Sequence, residues 1–372
     1  MHRIVFILGT RPEIIKLKSI IGHLKKKNSN KFDCKVLYTN QHKELGKELS
    51  DLFKIDYDIL LKRKINNKIS FEFVDQIYDM LKKNKTDSVV VMGDTLSGTT
   101  GAIAAYLNKS NIFYVESGLR TGDYNQPWPE EGFRKIITHI SNIHFAPTKY
   151  NKKILVEEGV PKKNIFITGN PVIDTIKESI KYINQSRIKK IIDNRILKEL
   201  KFLPKNFILI TIHRRENFGK QFEKICDNIN ILSKKYEDLK FIYPVHPNPY
   251  VQKTALKMFK KNKNINLIRP LDYFEFLRLM QLCKFIISDS GGIQEECTIV
   301  NKYLLLVRNK TERPEIVNKL VYIGGSNLFL FKKYFIKFMR FKPSKKFQNT
   351  FGDGQSSKKI AKIILDKCLS KS

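Results

Sequence analysis

Residues 4–16 read IVFILGTRPEIIK, and they pass from an apolar run into a helix start. The first five residues are apolar without alternation, which is typical of a strand covered on both faces. Gly9 permits a tight turn, and Pro12 suits the first turn of a helix. Arg11 and Lys16 flank a helix N-terminus, where an anion is favoured. The stretch lacks the G-x-G-x-x-G and P-loop spacings, so alone it predicts only a strand, a turn and a helix.

The same unit recurs along the chain. Short apolar runs alternate with helix-period segments, a pattern that predicts βαβ units and parallel, doubly wound sheets of the α/β class. The runs form two series, separated by a Lys- and Ile-rich segment at 179–205 that has helical spacing. We therefore expect two Rossmann-like domains, 1–170 and 171–354, with a boundary near Asn170–Pro171. The runs lie at 4–8, 36–38, 88–92, 112–115, 143–145, 165–167, 207–212, 241–245, 265–268, 285–288 and 303–307.

The charge of the chain is its most conspicuous compositional feature. The 372 residues include 69 Lys and Arg against 36 Asp and Glu, a net charge of +33. At 42% hydrophobic residues the chain is too apolar to be disordered. Lysine outnumbers arginine and is scattered from Lys16 to Lys371, whereas readers of nucleic acid rely on arginine. We favour a compositional drift toward Lys, Asn and Ile, with a weak anionic-surface role or nucleic-acid binding as alternatives.

Three further features bear on location. Five cysteines occur without any C-x-x-C pair, which argues against a disulfide framework or zinc ribbon and fits a reducing cytoplasm. No stretch approaches the ~18 apolar residues of a spanning helix, so we expect no integral membrane segment. The basic, aromatic segment 332–346 predicts a solvated amphipathic helix plus a loop, with a membrane-surface helix as the alternative.

Ligands of doubly wound sheets bind at the carboxyl ends of the strands. In the first half, carboxylates come from three separate places in the predicted layer of strand ends: Asp94 after the run at 88–92, Glu116 after the run at 112–115, and Glu130 or Glu131 in the Pro- and Trp-containing loop that comes later. Each could instead be structural, and an N-cap is the alternative for Asp94. We interpret the three as a convergent acidic cluster with acid–base chemistry.

The second half has the opposite polarity. His213 follows one run, and the Ser-Gly-Gly element at 290–292 ends another and opens a helix, where backbone N–H groups can approach a phosphate. Glu296 could bind ribose hydroxyls, and Arg313 is a further anion candidate; a plain helix start is the alternative reading of Ser-Gly-Gly. Together these residues predict a diphosphate site. No spacing of His, Cys or acidic residues suggests a metal.

These motifs together resemble those of the non-hydrolysing UDP-N-acetylglucosamine 2-epimerase family. The motifs span nearly the whole chain in the family's order. The complete set is far more specific than any single motif. The chain departs from the family pattern at Met92, at 132–133, at 297–302 and at Glu44. The matching motifs are GTRPEIIK (9–16), NQH (40–42), GDT (93–95), ESGLRTG (116–122), PWPEE (127–131) with Arg134, HFAPT (144–148), TGNPVID (168–174), HRREN (213–217), YPVHPNP (243–249), SDSGGIQEE (288–296), TERPE (311–315) and GDG (352–354).

The resemblance implies a GT-B-like arrangement of the two domains with the active site in the interdomain cleft, and a last helix within 355–372 that returns to the first domain. It also implies a UDP-sugar substrate, no cofactor and a homodimer, with no nucleic-acid partner. By analogy the catalytic residues are Asp94, Glu116, Glu130 and His213. The substrate-binding residues are Arg11, Lys16, Arg134, Phe276, Ser290, Gly291, Gly292, Glu296 and Arg313. A possible activator site comprises Gln41, Arg215 and His246.

The implied reaction is reversible conversion of UDP-GlcNAc to UDP-ManNAc for surface polysaccharide or glycan precursors. The sugar C2–H is only weakly acidic, and no nicotinamide fingerprint supplies an oxidation. Anti elimination of UDP to 2-acetamidoglucal, followed by re-addition, is the remaining route. Alternatives are a hydrolysing 2-epimerase releasing ManNAc and UDP, a 2-epimerase for a related UDP-amino sugar, a GT-B glycosyltransferase, and a basic protein that binds nucleic acid or a membrane surface.

Overall fold

A computed structural model of the chain describes residues 1–41, 53, 55–61, 71–201, 206–344, 347 and 349–369. The chain divides into two compact units, Met1–Thr175 with Phe351–Ser372, and Ile176–Thr350. His42 and Glu44, named above for the family motifs, lie outside the described residues, as do the ends of the segments 179–205, 332–346 and 355–372.

The first unit contains a parallel sheet in the order β3-β2-β1-β4-β5-β6-β7. Its strands are β1 (His2–Leu8), β2 (Phe32–Tyr38), β3 (Ile59–Leu60), β4 (Ser88–Met92), β5 (Asn111–Val115), β6 (Ile143–Ala146) and β7 (Ile165–Ile167). Its helices are α1 (Arg11–Lys25), α2 (Phe71–Lys83), α3 (Leu96–Leu107), α4 (Glu130–Ile140), α5 (Lys149–Glu157), the start of α6 (Pro171–Ile183) and the C-terminal helix, Ser356–Leu369.

Both faces of this sheet are covered, which explains its uninterrupted apolar strands. Val5 and Ile7 of β1 pack in one core with residues of α2, α3 and α4. Ile4 and Phe6 point to the other face because side chains alternate along a strand, and they too are fully buried. Helix α1 packs against the C-terminal helix. The sheet is therefore doubly wound, and its loops bring the ends of β1, β4 and β5 to one edge.

The second unit repeats the architecture, with a parallel sheet in the order β10-β9-β8-β11-β12-β13. Its strands are β8 (Phe207–Thr211), β9 (Lys240–Pro244), β10 (Ile265–Ile268), β11 (Ile286–Ser288), β12 (Leu304–Leu306) and β13 (Val321–Ile323). Its helices are the end of α6, α7 (Ser186–Leu200), α8 (Lys220–Lys235), α9 (Pro249–Phe259), α10 (Tyr273–Leu282), α11 (Gly291–Val300) and α12 (Leu328–Arg340). The C-terminal helix of the first unit, Ser356–Leu369, is accordingly α13.

The predicted α/β class with two doubly wound parallel sheets is confirmed. Two edge strands, β3 and β13, were not predicted; β3 has only two residues, whereas β13 has three, as many as the run at 165–167 that predicted β7. Residues 332–340 of the basic segment lie in α12, which buries Phe331, Phe335 and Phe338 within the second unit. Among the described residues, no helix combines the length and the apolarity that crossing a membrane requires.

Candidate active site

Glu116 is a buried carboxylate at the end of a central strand of the first sheet. It directly follows β5, adopts a positive φ of 64° and is only 5% exposed. Lys16 Nζ, from the second turn of α1, donates to Glu116 Oε1. Asn170 Nδ2, just before α6, donates to the same oxygen at 2.7 Å. One cation and one amide therefore fix the position of a buried carboxylate.

Asp94 lies beside Glu116, on the loop after β4. The alternative interpretation as the N-cap of α3 is wrong, because Thr95 caps that helix by accepting from Gly98 N–H at 2.9 Å. Asp94 Oδ2 instead accepts from Arg134 Nη2 at 2.5 Å. Its neighbour Gly93 has a φ of 68°, and a Cβ there would lie 3.4 Å from Glu116 Oε2. The two carboxylates thus belong to one cluster at the sheet edge.

The adjacent residues Glu130 and Glu131 differ in their surroundings. Glu131 is fully buried and accepts from Arg134 Nη1 at 2.7 Å, and from the backbone N–H groups of Thr121 and Gly122 at 3.1 Å each. It therefore anchors the loop before α4. Glu130 is the first residue of α4 and is half-buried, which leaves it the better candidate of the two for contact with a substrate.

Glu13 organises the loop that carries Arg11, although the sequence analysis did not single it out. Its Oε2 accepts from the N–H groups of Gly9 (2.9 Å) and Thr10 (2.7 Å). Its Oε1 accepts from the hydroxyl of Thr95 at 2.5 Å. Complete burial raises the pKa of Glu13 to about 7. The carboxyl group therefore ties the loop after β1 to the loop after β4.

Gln41, predicted for an activator site, also lies at this edge of the first sheet. Its Oε1 accepts from Ser97 Oγ at 2.6 Å and from Ser97 N–H at 3.2 Å. The side chain is therefore connected to the start of α3, one turn from Asp94.

In the second unit, Asp289 is the organising residue of the predicted diphosphate site. It follows β11, is fully buried, and accepts from the N–H groups of His213 (3.1 Å) and Arg214 (2.8 Å) and from Asn217 Nδ2 (2.9 Å). One carboxylate thereby shapes the whole loop after β8. The ring of His213 stacks on that of His246, with centroids 5.1 Å apart.

The protonation of His213 depends on the same carboxylate. Burial lowers the pKa of His213 below its ordinary value, and the negative charge of Asp289 partly opposes that effect. The Nδ1 atom of His213 lies 3.7 Å from Asp289 Oδ1. We therefore expect a neutral imidazole at pH 7, able to act as a hydrogen-bond donor or acceptor.

The N-terminus of α11 lies between two arginines. A Cβ at Gly291 would be 3.3 Å from Arg214 Nη2 and 3.3 Å from Arg313 Nη1. Ser290 is the N-cap residue, and Gly291 and Gly292 form the first turn. Backbone N–H groups and guanidinium groups therefore meet at one place, an arrangement that suits a phosphate. Sequence reasoning found Arg313 but missed Arg214.

Arg313 also binds two carboxylates of this chain, and these contacts are not evident from the amino-acid sequence. Its Nε donates to Glu295 at 2.8 Å and its Nη1 donates to Glu312 at 2.6 Å. Glu312 accepts in addition from Arg308, which bonds Glu216 at 2.6 Å. Alternating charges thus connect the loop after β8 with the loop after β12. The network holds the arginine rigidly beside α11.

The other predicted residues have less distinctive surroundings. Glu296 is half-buried on α11, and Arg215 and His246 are exposed on loops of the second unit. Phe276 is half-buried on α10, and its N–H donates to the carbonyl of Asp272 at 3.0 Å within the helix. The described part of the chain contains no group of three or more His, Cys, Asp or Glu side chains arranged to hold a metal ion.

The important residues that sequence reasoning missed are Glu13, Asn170, Arg214 and Asp289. Each lies within or directly beside a motif already quoted, so position in the chain was a signal for all four. Asp289 follows an apolar run directly, which is the rule that found Asp94 and Glu116. Asn170 was missed because its partner, Glu116, is more than fifty residues away in the sequence.

The chain is similar to known proteins along nearly its whole length. Residues 24–365 match the family model described as UDP-N-acetylglucosamine 2-epimerase. A Campylobacter jejuni protein named UDP-N-acetylglucosamine 2-epimerase is 38% identical, over 98% of this chain and 98% of its own length.

Solved structures are similar over the same extent. The UDP-GlcNAc 2-epimerase of Neisseria meningitidis bound to UDP-GlcNAc is 34% identical with a TM-score of 0.90, covering 98% of this chain and 100% of that one. The Methanocaldococcus jannaschii UDP-GlcNAc 2-epimerase in complex with UDP-GlcNAc and UDP is 31% identical with a TM-score of 0.86, covering 97% and 99%.

Proposed function

Since the chain belongs to the UDP-N-acetylglucosamine 2-epimerase family, we propose that it interconverts UDP-GlcNAc and UDP-ManNAc without net hydrolysis. The observation that carries the proposal is the buried Glu116, held by Lys16 and Asn170 beside the loop of Asp94. A carboxylate fixed in this way, at the ligand-binding edge of a parallel sheet, suits proton transfer at a sugar carbon.

The proposed reaction inverts C2 by elimination and re-addition. A carboxylate removes the C2 proton while the anomeric C1–O bond breaks, which gives 2-acetamidoglucal and UDP. A second group then delivers a proton to the opposite face of C2, and a UDP oxygen re-forms the bond to C1. Positive charge that develops at C1 during C–O cleavage acidifies the C2–H. Asp94, Glu116 and Glu130 are the proposed acid–base groups.

The leaving group requires a different set of contacts. UDP departs as an anion, so hydrogen-bond donors and cations aimed at the diphosphate lower the barrier; each preorganised donor contributes about 3–4 kcal/mol. The N-terminus of α11, with Ser290, Gly291 and Gly292 and with Arg214 beside it, supplies such donors in the second unit. Neutral His213 is proposed to assist the departing phosphate oxygen. Arg11, Lys16, Arg134, Phe276, Glu296 and Arg313 stay predicted substrate-binding residues.

Incubating the full-length chain with UDP-GlcNAc alone in D₂O tests the proposal. We expect proton NMR to show UDP-ManNAc, with deuterium at C2 in both nucleotide sugars. An exchange at C2 requires C–H cleavage, and turnover without an acceptor distinguishes an epimerase from a glycosyltransferase. Free ManNAc and UDP as the only products would contradict the proposal and identify a hydrolysing 2-epimerase.

Other expectations from the family stay predictions. They are a homodimer in the cytoplasm, an activator role for Gln41, Arg215 and His246, and a product used for surface polysaccharide or glycan precursors. Light scattering after gel filtration tests the dimer. Initial rates against UDP-GlcNAc concentration test the activator role, since a second activating site predicts a sigmoidal curve.

A further inference from the structure

We propose that Asn170 is a positioning residue for Glu116, and that the C-terminal segment 351–357 holds Asn170 in place. The inference rests on the proposed function, in which Glu116 transfers protons. It concerns residues whose part in this chain's chemistry does not follow from the sequence motifs alone.

Asn170 is fully buried, and both the nitrogen and the oxygen of its side-chain amide form hydrogen bonds. Its Nδ2 donates to Glu116 Oε1 at 2.7 Å, while its Oδ1 accepts from the N–H of Val172 at 3.1 Å. The second bond fixes the orientation of the amide at the start of α6, so that the NH₂ group faces Glu116. Asn170 can therefore hold the carboxylate in one direction.

Lys16 and Asn170 bind the same oxygen but supply different things. Lys16 Nζ brings a positive charge on a flexible side chain, whereas the amide of Asn170 brings a donor in a fixed direction. Both donors converge on Oε1, while Oε2 lies near Gly93 on the loop of Asp94. Together with Lys16, Asn170 thus fixes which oxygen of Glu116 faces the loop that carries Gly93 and Asp94.

The C-terminal segment contacts the backbone of Asn170 itself. The N–H of Asn170 donates to the carbonyl of Phe351 at 2.6 Å. A Cβ at Gly169 would overlap Ser356 Oγ and would lie 3.0 Å from that carbonyl oxygen and 3.0 Å from Gly352 Cα, so the two backbones are close together. Glycine is required there for space, in addition to its φ of 83°.

A second contact to the C-terminal segment is made by Asp174, four residues after Asn170. Asp174, 6% exposed on α6, accepts from the N–H groups of Ser357 (2.9 Å) and Ser356 (3.2 Å) at the start of α13. An acidic group at a helix N-terminus is stabilising there. The segment 351–357 is therefore attached on both sides of Asn170's loop, and a chain of direct contacts leads from α13 to Glu116.

The first test replaces the amide of Asn170. Asn170→Asp keeps the size but puts an acceptor where the donor was, and Asn170→Ala removes the side chain. We expect kcat to fall about 10²-fold in each, while the Kd for UDP stays within about twofold, since removing one preorganised donor has an effect of that order. A merely structural role would not separate kcat from UDP binding. If Asn170→Ala fails to fold, the isosteric Asn170→Asp still gives the answer.

The second test disturbs the C-terminal segment and has a matched control. Gly169→Ala crowds Ser356 Oγ first, and also the Phe351 carbonyl and Gly352, all in the C-terminal segment; in Gly159→Ala, at a φ of 88°, the added Cβ has no atom within 4 Å, so this variant imposes backbone strain alone. We expect Gly159→Ala to lower thermal stability without changing kcat, and Gly169→Ala to lower kcat about tenfold or more. Equal kcat values in the two variants would overturn the role of the segment.

Glu116→Gln separates failure of this inference from failure of the proposed function. Wild-type kcat in Asn170→Asp together with an inactive Glu116→Gln would overturn the positioning role and leave the function standing. Near-normal turnover in Glu116→Gln would instead refute the proposed function itself.

Discussion

Arg134 binds Asp94 through Nη2 at 2.5 Å, from a side chain that is only 2% exposed. Its other terminal nitrogen binds the fully buried Glu131 at 2.7 Å. The planar guanidinium thereby connects a proposed catalytic carboxylate on the loop after β4 with a structural one at the start of α4. Arg134, which the sequence predicts as a substrate ligand, therefore also orients Asp94.

Arg134→Lys is expected to lower kcat by about 10²-fold and to destabilise the fold by roughly 1–3 kcal/mol. A single ammonium cannot serve both carboxylates in the geometry of a guanidinium, so Asp94 or Glu131 would lose one of its charged hydrogen bonds. Steady-state kinetics and urea unfolding measure the two effects. The neighbouring Lys135→Ala is the control, because its amine lies over the ring of Tyr124 and not at the carboxylates. Wild-type kinetics in Arg134→Lys would contradict the orienting role.

Asp94→Asn and Glu116→Gln are each expected to lose most turnover, about 10²-fold or more, because each amide can neither accept nor deliver the proton. Both variants should still bind UDP, since the proposed diphosphate ligands lie in the second unit. Calorimetry with UDP and NMR rates with UDP-GlcNAc separate the two properties. Near-normal rates in both variants would refute the assigned chemistry.

Asp289→Asn is expected to weaken UDP binding about tenfold and to lower stability by roughly 1–3 kcal/mol. Asp289 accepts from the backbone N–H groups of His213 and Arg214 and from Asn217. An amide NH₂ in its place would face one of these donors and displace the loop. Calorimetric titration with UDP tests the effect, and Asp227→Asn, at an exposed position on α8, should leave the affinity unchanged.

Glu13 is expected to make stability depend on pH. Burial raises the pKa of Glu13 from 4.5 to about 7, so between these values the folded state binds more protons than the unfolded state. Its contribution to the free energy of unfolding should therefore fall as pH rises from about 4.5 to about 7, and level off above. Urea unfolding at a series of pH values measures the slope. Glu13→Gln should flatten it in that window, and an unchanged slope would show that another group is responsible.

Much of the architecture follows from local pattern. The run at 4–8, the glycine after it and Pro12 specify a strand, a turn and a helix from neighbouring residues alone, and β1 and α1 are found there. The same rule placed Asp94 and Glu116 at strand ends, because parallel strands end at one edge of a sheet. The edge strand β3 was missed because two residues carry no periodicity, and β13 was missed although it is as long as the recognised run at 165–167.

The sequence by itself determined the α/β class, the repeated doubly wound sheets and the family, because these depend on periodicity and on motifs whose residues are close in the chain. Only the tertiary structure decided which groups meet: Arg134 with Asp94, Asn170 with Glu116, and Asp289 with the loop after β8. Such pairs join residues separated by forty to seventy-five positions. A hydrogen bond depends on distance and direction in space, and no local pattern of residues encodes either.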